Sequence, residues 1–321
     1  MAPPFARPIR RATLQRIAPP VTLAAVSLVL LSAALHVAWN TLARAKRDEP
    51  LLSWLLATAG VVVLVPPVIV RWLQGAAPLA GEVVGFAALS GAVETVAFLA
   101  LTAGYRTSDL SLIYPLSRGL APVLAAAAGA FVASERIGGS ERLAIAVVLA
   151  GATWLAFMSP PARATGAAAA QAATAGAARW RGVGFATLCA CGVAGYHLFD
   201  RAALHHASQP DTWCYFLVMQ LFLVGFMSAW LLVRRELTLV ALRRVVPLVP
   251  RMLLGGALMQ SGYWLVLLAL KQGASSLVVA TRNLGIPMSL AVGALLFHER
   301  VDARRWCAAL LITAGVLLLA T

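Results

Sequence analysis

Long apolar runs follow one another along the chain from about residue 21 to residue 320, and charged residues collect in the gaps between them. Ten runs approach or exceed the roughly 20 mostly apolar residues needed to cross about 30 Å of hydrocarbon. They fall at 21–43, 51–71, 83–104, 110–132, 142–159, 182–200, 212–233, 252–270, 274–297 and 306–320. Only helices and closed barrels satisfy their backbone in lipid, and runs of this length are helical. The pattern predicts an all-α integral membrane protein with ten transmembrane helices.

The runs repeat. A shift of 164 residues lays Gly91 on Gly255, Ser111 on Ser275, Arg118 on Arg282 and Gly129 on Gly293. The same shift lays Glu135-Arg136 on Glu299-Arg300 and Gly151 on Gly315. For the first run of each half the offset is 160, which sets "HVAWN" (36–40) against "YHLFD" (196–200). Between the halves lies "SPPARATGAAAAQAATAGAARWR", an Ala-rich, low-complexity stretch that reads as a linker. The chain divides into a basic tail (1–20), a five-helix repeat (21–159), the linker (160–181) and a second five-helix repeat (182–321). Five is odd, so two spanning halves must enter the membrane with opposite orientation. Inverted repeats of this kind are the usual architecture of secondary transporters, with the substrate site near the midplane at the repeat interface.

Composition agrees, since 61% of the 321 residues are hydrophobic and 12% charged, with a mean hydropathy of +0.83. The formal charge of +14 would suggest nucleic acid in a soluble chain. Here the basic residues lie between spans, where they meet lipid headgroups and set topology, so no nucleic-acid partner is expected. The four cysteines, Cys189, Cys191, Cys214 and Cys307, lie in or beside apolar runs without metal spacing. They read as small buried hydrophobes, and no metal, disulfide or cofactor is expected. No HExxH, P-loop or GxSxG motif is present, which argues against an enzyme.

Two stretches carry a family resemblance. "FVASERIGGSERLAIAVVLAGATWLA" and "LLFHERVDARRWCAALLITAGVLLLA" each end an apolar helix in Glu-Arg and follow it with a short glycine-containing helix. With the five-plus-five arrangement and the "HVAWN" near the start, the chain resembles the EamA family of the drug/metabolite transporter superfamily. The resemblance implies a proton-linked or facilitative permease of the bacterial inner membrane, often an exporter of small metabolites such as amino acids. It also implies a central cavity lined by the first, third and fourth helices of each half, and both termini on the cytoplasmic side. The four arginines of the tail agree with that orientation. The arginines at 44–47, 234–235, 243–244 and 304–305 fall on the opposite side, and by the positive-inside rule they oppose it.

Arg118 is the only charge between Leu110 and Val132, and the duplication repeats it as Arg282. Each lies about eight residues into its run, about 12 Å along a helix at 1.5 Å per residue, and an arginine at such depth usually faces a cavity or a partner. Two guanidiniums converging from inverted halves suit a carboxylate, sulfonate or phosphate. Alternatively each pairs with an acid and holds the bundle. Glu94 is the one acid in mid-run in its half, free to be ionised against Arg118, protonated, or alternating as a proton carrier requires. Its equivalent position is Leu258, with Gln260 and Tyr263 within about a turn. His36, Trp39 and Asn40 share a helix face, and Asp200 stands opposite Asn40 in the repeat. Tyr114 precedes Arg118 by one turn, where it can stack on the guanidinium or on a ligand.

The residues therefore predict an alternating-access transporter of a small anionic or zwitterionic metabolite. The substrate-binding candidates are Arg118, Arg282, Glu94, Tyr114, His36, Asn40, Gln260 and Tyr263, and the proton-coupling candidates are Glu94 and Asp200. The expected partners are the solute, protons and the lipid bilayer. Two other readings stand beside it: an uncoupled facilitator in which Glu94 only neutralises Arg118, and a membrane protein without transport whose buried charges are structural pairs.

Overall fold

The computed structural model describes residues 23–45, 51–132, 138–158, 167–272 and 285–319, and among these there is no β-strand. The helices are α1 (Leu23–Ala45), α2 (Leu52–Leu73), α3 (Gly81–Thr107), α4 (Leu110–Val132), α5 (Gly139–Phe157), α6 (Ala167–Leu204), α7 (Thr212–Val233), the short α8 (Leu239–Val245), α9 (Val249–Gln272), α10 (Gly285–Phe297) and α11 (Ala303–Leu319). Six, namely α2, α3, α4, α5, α6 and α7, contain stretches long and apolar enough to cross a membrane. Helices α1, α9 and α11 overlie the first, eighth and tenth predicted spans, and α10 overlies the second part of the ninth, whose start lies outside the described residues.

Polarity is distributed inside out. Val62, Ile69, Leu149, Leu188, Leu221, Phe226 and Leu310 are exposed, while Asn40, Glu94, Asp200, Gln220 and Gln260 are buried. An apolar exterior of that extent is what a lipid-facing surface requires. Together with the six long apolar helices it makes the chain a multi-pass helical membrane protein.

Lipid tails are as apolar as leucine, so helices associate in a membrane through close backbone approach and hydrogen bonds rather than through hydrophobic burial. Glycines mark those approaches here. A Cβ on Gly256 of α9 would stand 2.7 Å from the backbone N of Gly60 in α2, and one on Gly91 of α3 would stand 2.9 Å from the carbonyl oxygen of Met219 in α7. The α5–α11 contact is reciprocal. A Cβ on Gly151 would meet Ala308 and Ile312, and one on Gly315 would meet Ala144 and Val148, with backbone atoms at 3.0 Å or closer in both cases. Each of these contacts maps onto the other by the 164-residue shift.

Gly315→Ala is therefore expected to push α5 and α11 apart and cost about 1–3 kcal/mol, the usual penalty for overpacking. Gly225 of α7 has nothing within 4 Å of its Cβ position, so Gly225→Ala should be neutral or gain a few tenths of a kcal/mol of helix propensity. Melting of the detergent-purified variants checks the contrast, and equal melting for the two would remove the packing role of Gly315.

The Ala-rich linker continues into the second half. From Ala167 it is helical and runs without a break into the sixth span, making α6 38 residues long. Low complexity here means alanine, the strongest helix former, so the described part of the segment extends a helix. Residues 159–166 lie outside the described residues.

Two clusters of charge mark opposite ends of α3. At its start, Glu82 pairs with His206 at 2.7 Å, and Arg71 at the end of α2 pairs nearby with Asp211 at 2.8 Å. Asp211 also caps α7, accepting from the backbone N–H groups of Trp213 and Cys214. Partial burial would raise the Asp211 carboxyl, but those N–H groups and Arg71 outweigh it and hold it below the usual carboxylate range. At the other end of α3, Arg44 donates to the carbonyl of Tyr105 at 3.0 Å and lies 3.6 Å from Glu299. Glu299 accepts from the backbone N–H groups of Leu110 and Ser111 at 2.8 and 3.0 Å, which makes it the cap of α4. Arg305 completes the cluster by donating to Asp109 and Ser111. In the sequence Glu299-Arg300 marks the end of an apolar helix. The structure aims Glu299 across to the other half, because four unpaired N–H groups at a helix start form a stronger anion site than a neighbouring solvated arginine.

Candidate functional site: a polar cavity between helices

Midway along the bundle, side chains of α1, α3, α4, α6, α7 and α9 surround a small cavity of about 40 Å³. Helix α1 contributes His36 and Trp39. The Trp39 indole N–H donates to His36 Nδ1 at 3.1 Å, which fixes the neutral ring with its proton on Nε2. Trp39 in turn stacks on Phe98 of α3, centroids 5.6 Å apart. From α3 comes Glu94, 8% exposed, whose Oε2 lies 3.5 Å from the amide nitrogen of Gln220 on α7.

Helix α4 contributes Arg118. Proline at 122 has no N–H to give the carbonyl four residues back, and its ring crowds that carbonyl. The carbonyl is that of Arg118, so the helix is weakened at the turn that carries the guanidinium. Among the described residues Arg118 forms no ion pair. Its guanidinium carbon lies 5.9 Å from the ring centroid of Tyr114, at cation–π range. No ion pair joins Arg118 and Glu94 among the described residues.

Helix α6 supplies Cys189, Val193 and Tyr196, and α9 supplies Met259, Gln260 and Tyr263. Tyr263 has two roles, since it faces the cavity and its hydroxyl donates to Oδ2 of Asp200. Asp200 lies behind it with no exposed surface. Its Oδ1 accepts from Ser90 at 2.6 Å and from Tyr215 at 2.5 Å. Three hydroxyls thus cage one carboxylate, and buried charge in a membrane is kept only with such partners.

The cavity therefore gathers five of the sequence candidates: His36, Glu94, Arg118, Gln260 and Tyr263. Tyr114 stands beside it under Arg118. Asn40 does not reach it: its amide nitrogen donates to the His36 carbonyl at 2.7 Å and its oxygen accepts from Tyr105 at 2.7 Å. Asn40 thereby joins α1 to α3 instead of facing a ligand. Arg282 lies outside the described residues. Sequence reading missed Gln220, though a lone amide in "TWCYFLVMQLFLVGF" was the available signal. It also left Trp39 and Tyr196 as features of a helix face, whereas both line the cavity.

Chemically the site holds a guanidinium, a carboxyl, two amides, two phenols and an imidazole beside aromatic rings. Together they offer both hydrogen-bond donors and acceptors to the cavity. Among the described residues no three His, Cys, Asp or Glu side chains come together as a metal site. No family model matches the sequence, and no curated protein matches it. A protein with a solved crystal structure is similar in fold, with a TM-score of 0.56 at 17% identity, over 91% of this chain and 98% of its own length.

Proposed function

We propose that the chain is a secondary transporter of the bacterial inner membrane, of the EamA type, built from ten spans as two inverted five-helix repeats. Its solute is a small anionic or zwitterionic metabolite such as an amino acid or another carboxylate. One observation carries the reading: Arg118, without an ion pair among the described residues, shares a mid-bundle cavity with Glu94. A cation and an acid held in one low-dielectric site match the two ends of a zwitterion, and a guanidinium forks onto a carboxylate. The reciprocal contacts of Gly151 and Gly315 support the two-repeat architecture, because a pseudo-twofold relation between halves generates such pairs.

Under this reading Arg118 takes the carboxylate and Glu94 takes the solute's amine or the coupling proton. Asp200, linked to the cavity through Tyr263, is the second proton candidate. Bending of α4 around Pro115 and Pro122 supplies the motion of alternating access. Purified protein in liposomes should take up a labelled amino acid or carboxylate, and empty liposomes should not. An imposed pH gradient should drive that uptake, and Glu94→Gln should leave it running downhill but indifferent to the gradient. Uptake that ignores the gradient in the unsubstituted protein would leave an uncoupled facilitator. No uptake of any solute in the panel would remove the transporter reading.

A further inference from the structure

Gln220 and Gln260 are both buried in the cavity wall, at 1% and 2% exposure, on the neighbouring helices α7 and α9. Neither amide is satisfied. Among the described residues the Gln260 oxygen and nitrogen both lack a hydrogen-bond partner, and so does the Gln220 oxygen. The Gln220 nitrogen has only the long 3.5 Å contact to Glu94. Buried amides nearly always find partners, and each exception asks for an explanation. In a bilayer the usual rescue by bulk water is missing.

The fold makes room for the Gln260 amide at some cost to its own packing. Its nitrogen lies 2.1 Å from where a Cβ on Gly60 would stand, so only glycine at that point of α2 admits it. A buried amide with no partner among the described residues, lodged against bare backbone in the wall of the cavity, is poised for a ligand. Two amides offer both donors and acceptors, whereas the guanidinium offers donors only and an ionised Glu94 only accepts.

We infer that Gln220 and Gln260 form a second, uncharged subsite of this cavity, which receives a neutral group able both to donate and to accept hydrogen bonds. A carboxamide is the best match, with a hydroxyl next. The inference rests on the carrier reading above and narrows its solute to a carboxylate bearing such a group on its other arm. A site built to hydrogen-bond a polar group rejects the analogue that lacks it, because its own buried groups are then left unpaired.

The test uses pairs of probes alike in shape and different in hydrogen bonding: L-asparagine with L-leucine, and succinamate with 4-methylpentanoate. Binding is followed by ligand-induced thermal stabilisation of the purified full chain. The amide of each pair should bind at least about tenfold more tightly. Gln260→Leu and Gln220→Leu should each bring the pair close to equality while the carboxylates still bind. Removing an unsatisfied amide in favour of a similar-sized apolar group is neutral or stabilising, so the ligand-free Gln260→Leu protein should melt at or above the unsubstituted protein. A structural glutamine would show the reverse. Equal binding of amide and isostere, or a clear loss of ligand-free stability in the Gln260→Leu protein, overturns the subsite. If no carboxylate of either pair stabilises the unsubstituted protein, the carrier reading falls first and the subsite with it.

Discussion

Arg118→Gln is expected to abolish carboxylate binding and uptake while leaving the protein folded. A charge-assisted hydrogen bond is worth about 1.5–3 kcal/mol, so losing a two-pronged contact should weaken binding by about a hundredfold or more. Stability should hold for a specific reason: Arg118 has no ion pair to break among the described residues, and its one ring contact is with Tyr114 at 5.9 Å. Glutamine also removes a cation from a poorly solvated place, which is favourable in itself. Arg118→Lys keeps the charge and loses the planar fork, so it should recover part of the binding and little of the selectivity. Uptake by proteoliposomes and melting in detergent, measured on the same preparations, separate the outcomes. Had Arg118 been one arm of a buried salt bridge, removing it would cost about 3–5 kcal/mol. A drop in melting of that size, with uptake falling only in proportion to the folded fraction, would make it structural.

Glu299→Ala is expected to be the most damaging single change to stability among the charged residues at the Arg44 end. It removes the cap of α4, since Leu110 and Ser111 both donate to that carboxylate. It also strips the main anion from Arg44, which is 8% exposed and among the described residues keeps Asp109 at 3.9 Å, the Tyr105 carbonyl and the Phe297 ring. Breaking a buried pair and leaving one charge behind costs about 3–5 kcal/mol, and a lost cap adds about 1 kcal/mol. Changing both members to apolar residues, Arg44→Leu with Glu299→Leu, should recover much of the pair term, because no orphan charge then remains. The cap term should persist, as nothing replaces the carboxylate at the first turn of α4. Melting of the single and double variants gives the coupling directly. A Glu299→Ala protein as stable as the parent would mean that the cluster is solvated enough to carry no weight.

Much of the fold was legible in the sequence because a bilayer leaves few options. Length and apolarity locate α2, α3, α4, α5, α6 and α7 well, since a spanning helix cannot be short or charged. Arg118 and Glu94 were legible for the complementary reason that a charge in an apolar run demands an explanation. Gln220 was not, because one neutral amide changes the hydropathy of a span very little, and its meaning depends on what faces it. The fate of Asn40 was equally hidden. Sharing a helix face with His36 is a local property, whereas being taken by the Tyr105 hydroxyl is settled by a second helix. Asp200 shows the same limit. The repeat sets it opposite Asn40, and only the packing of Ser90, Tyr215 and Tyr263 around it reveals a buried cage. Sequence patterns report what a residue can do, and partners from distant helices decide which use is made.

The cap on α4 also bears on how the protein is made. Leu110 and the glutamate that satisfies its N–H are 189 residues apart in the chain. At a synthesis rate of about 5–20 residues per second, the helix carrying Arg118 waits about 10–40 s for its own cap to leave the ribosome. During that interval its first turn must borrow partners from water, headgroups or the insertion machinery. The first half is thus unfinished until the segment carrying Glu299 arrives, and a chain halted before Glu299 leaves the ribosome with its central arginine helix still open at one end.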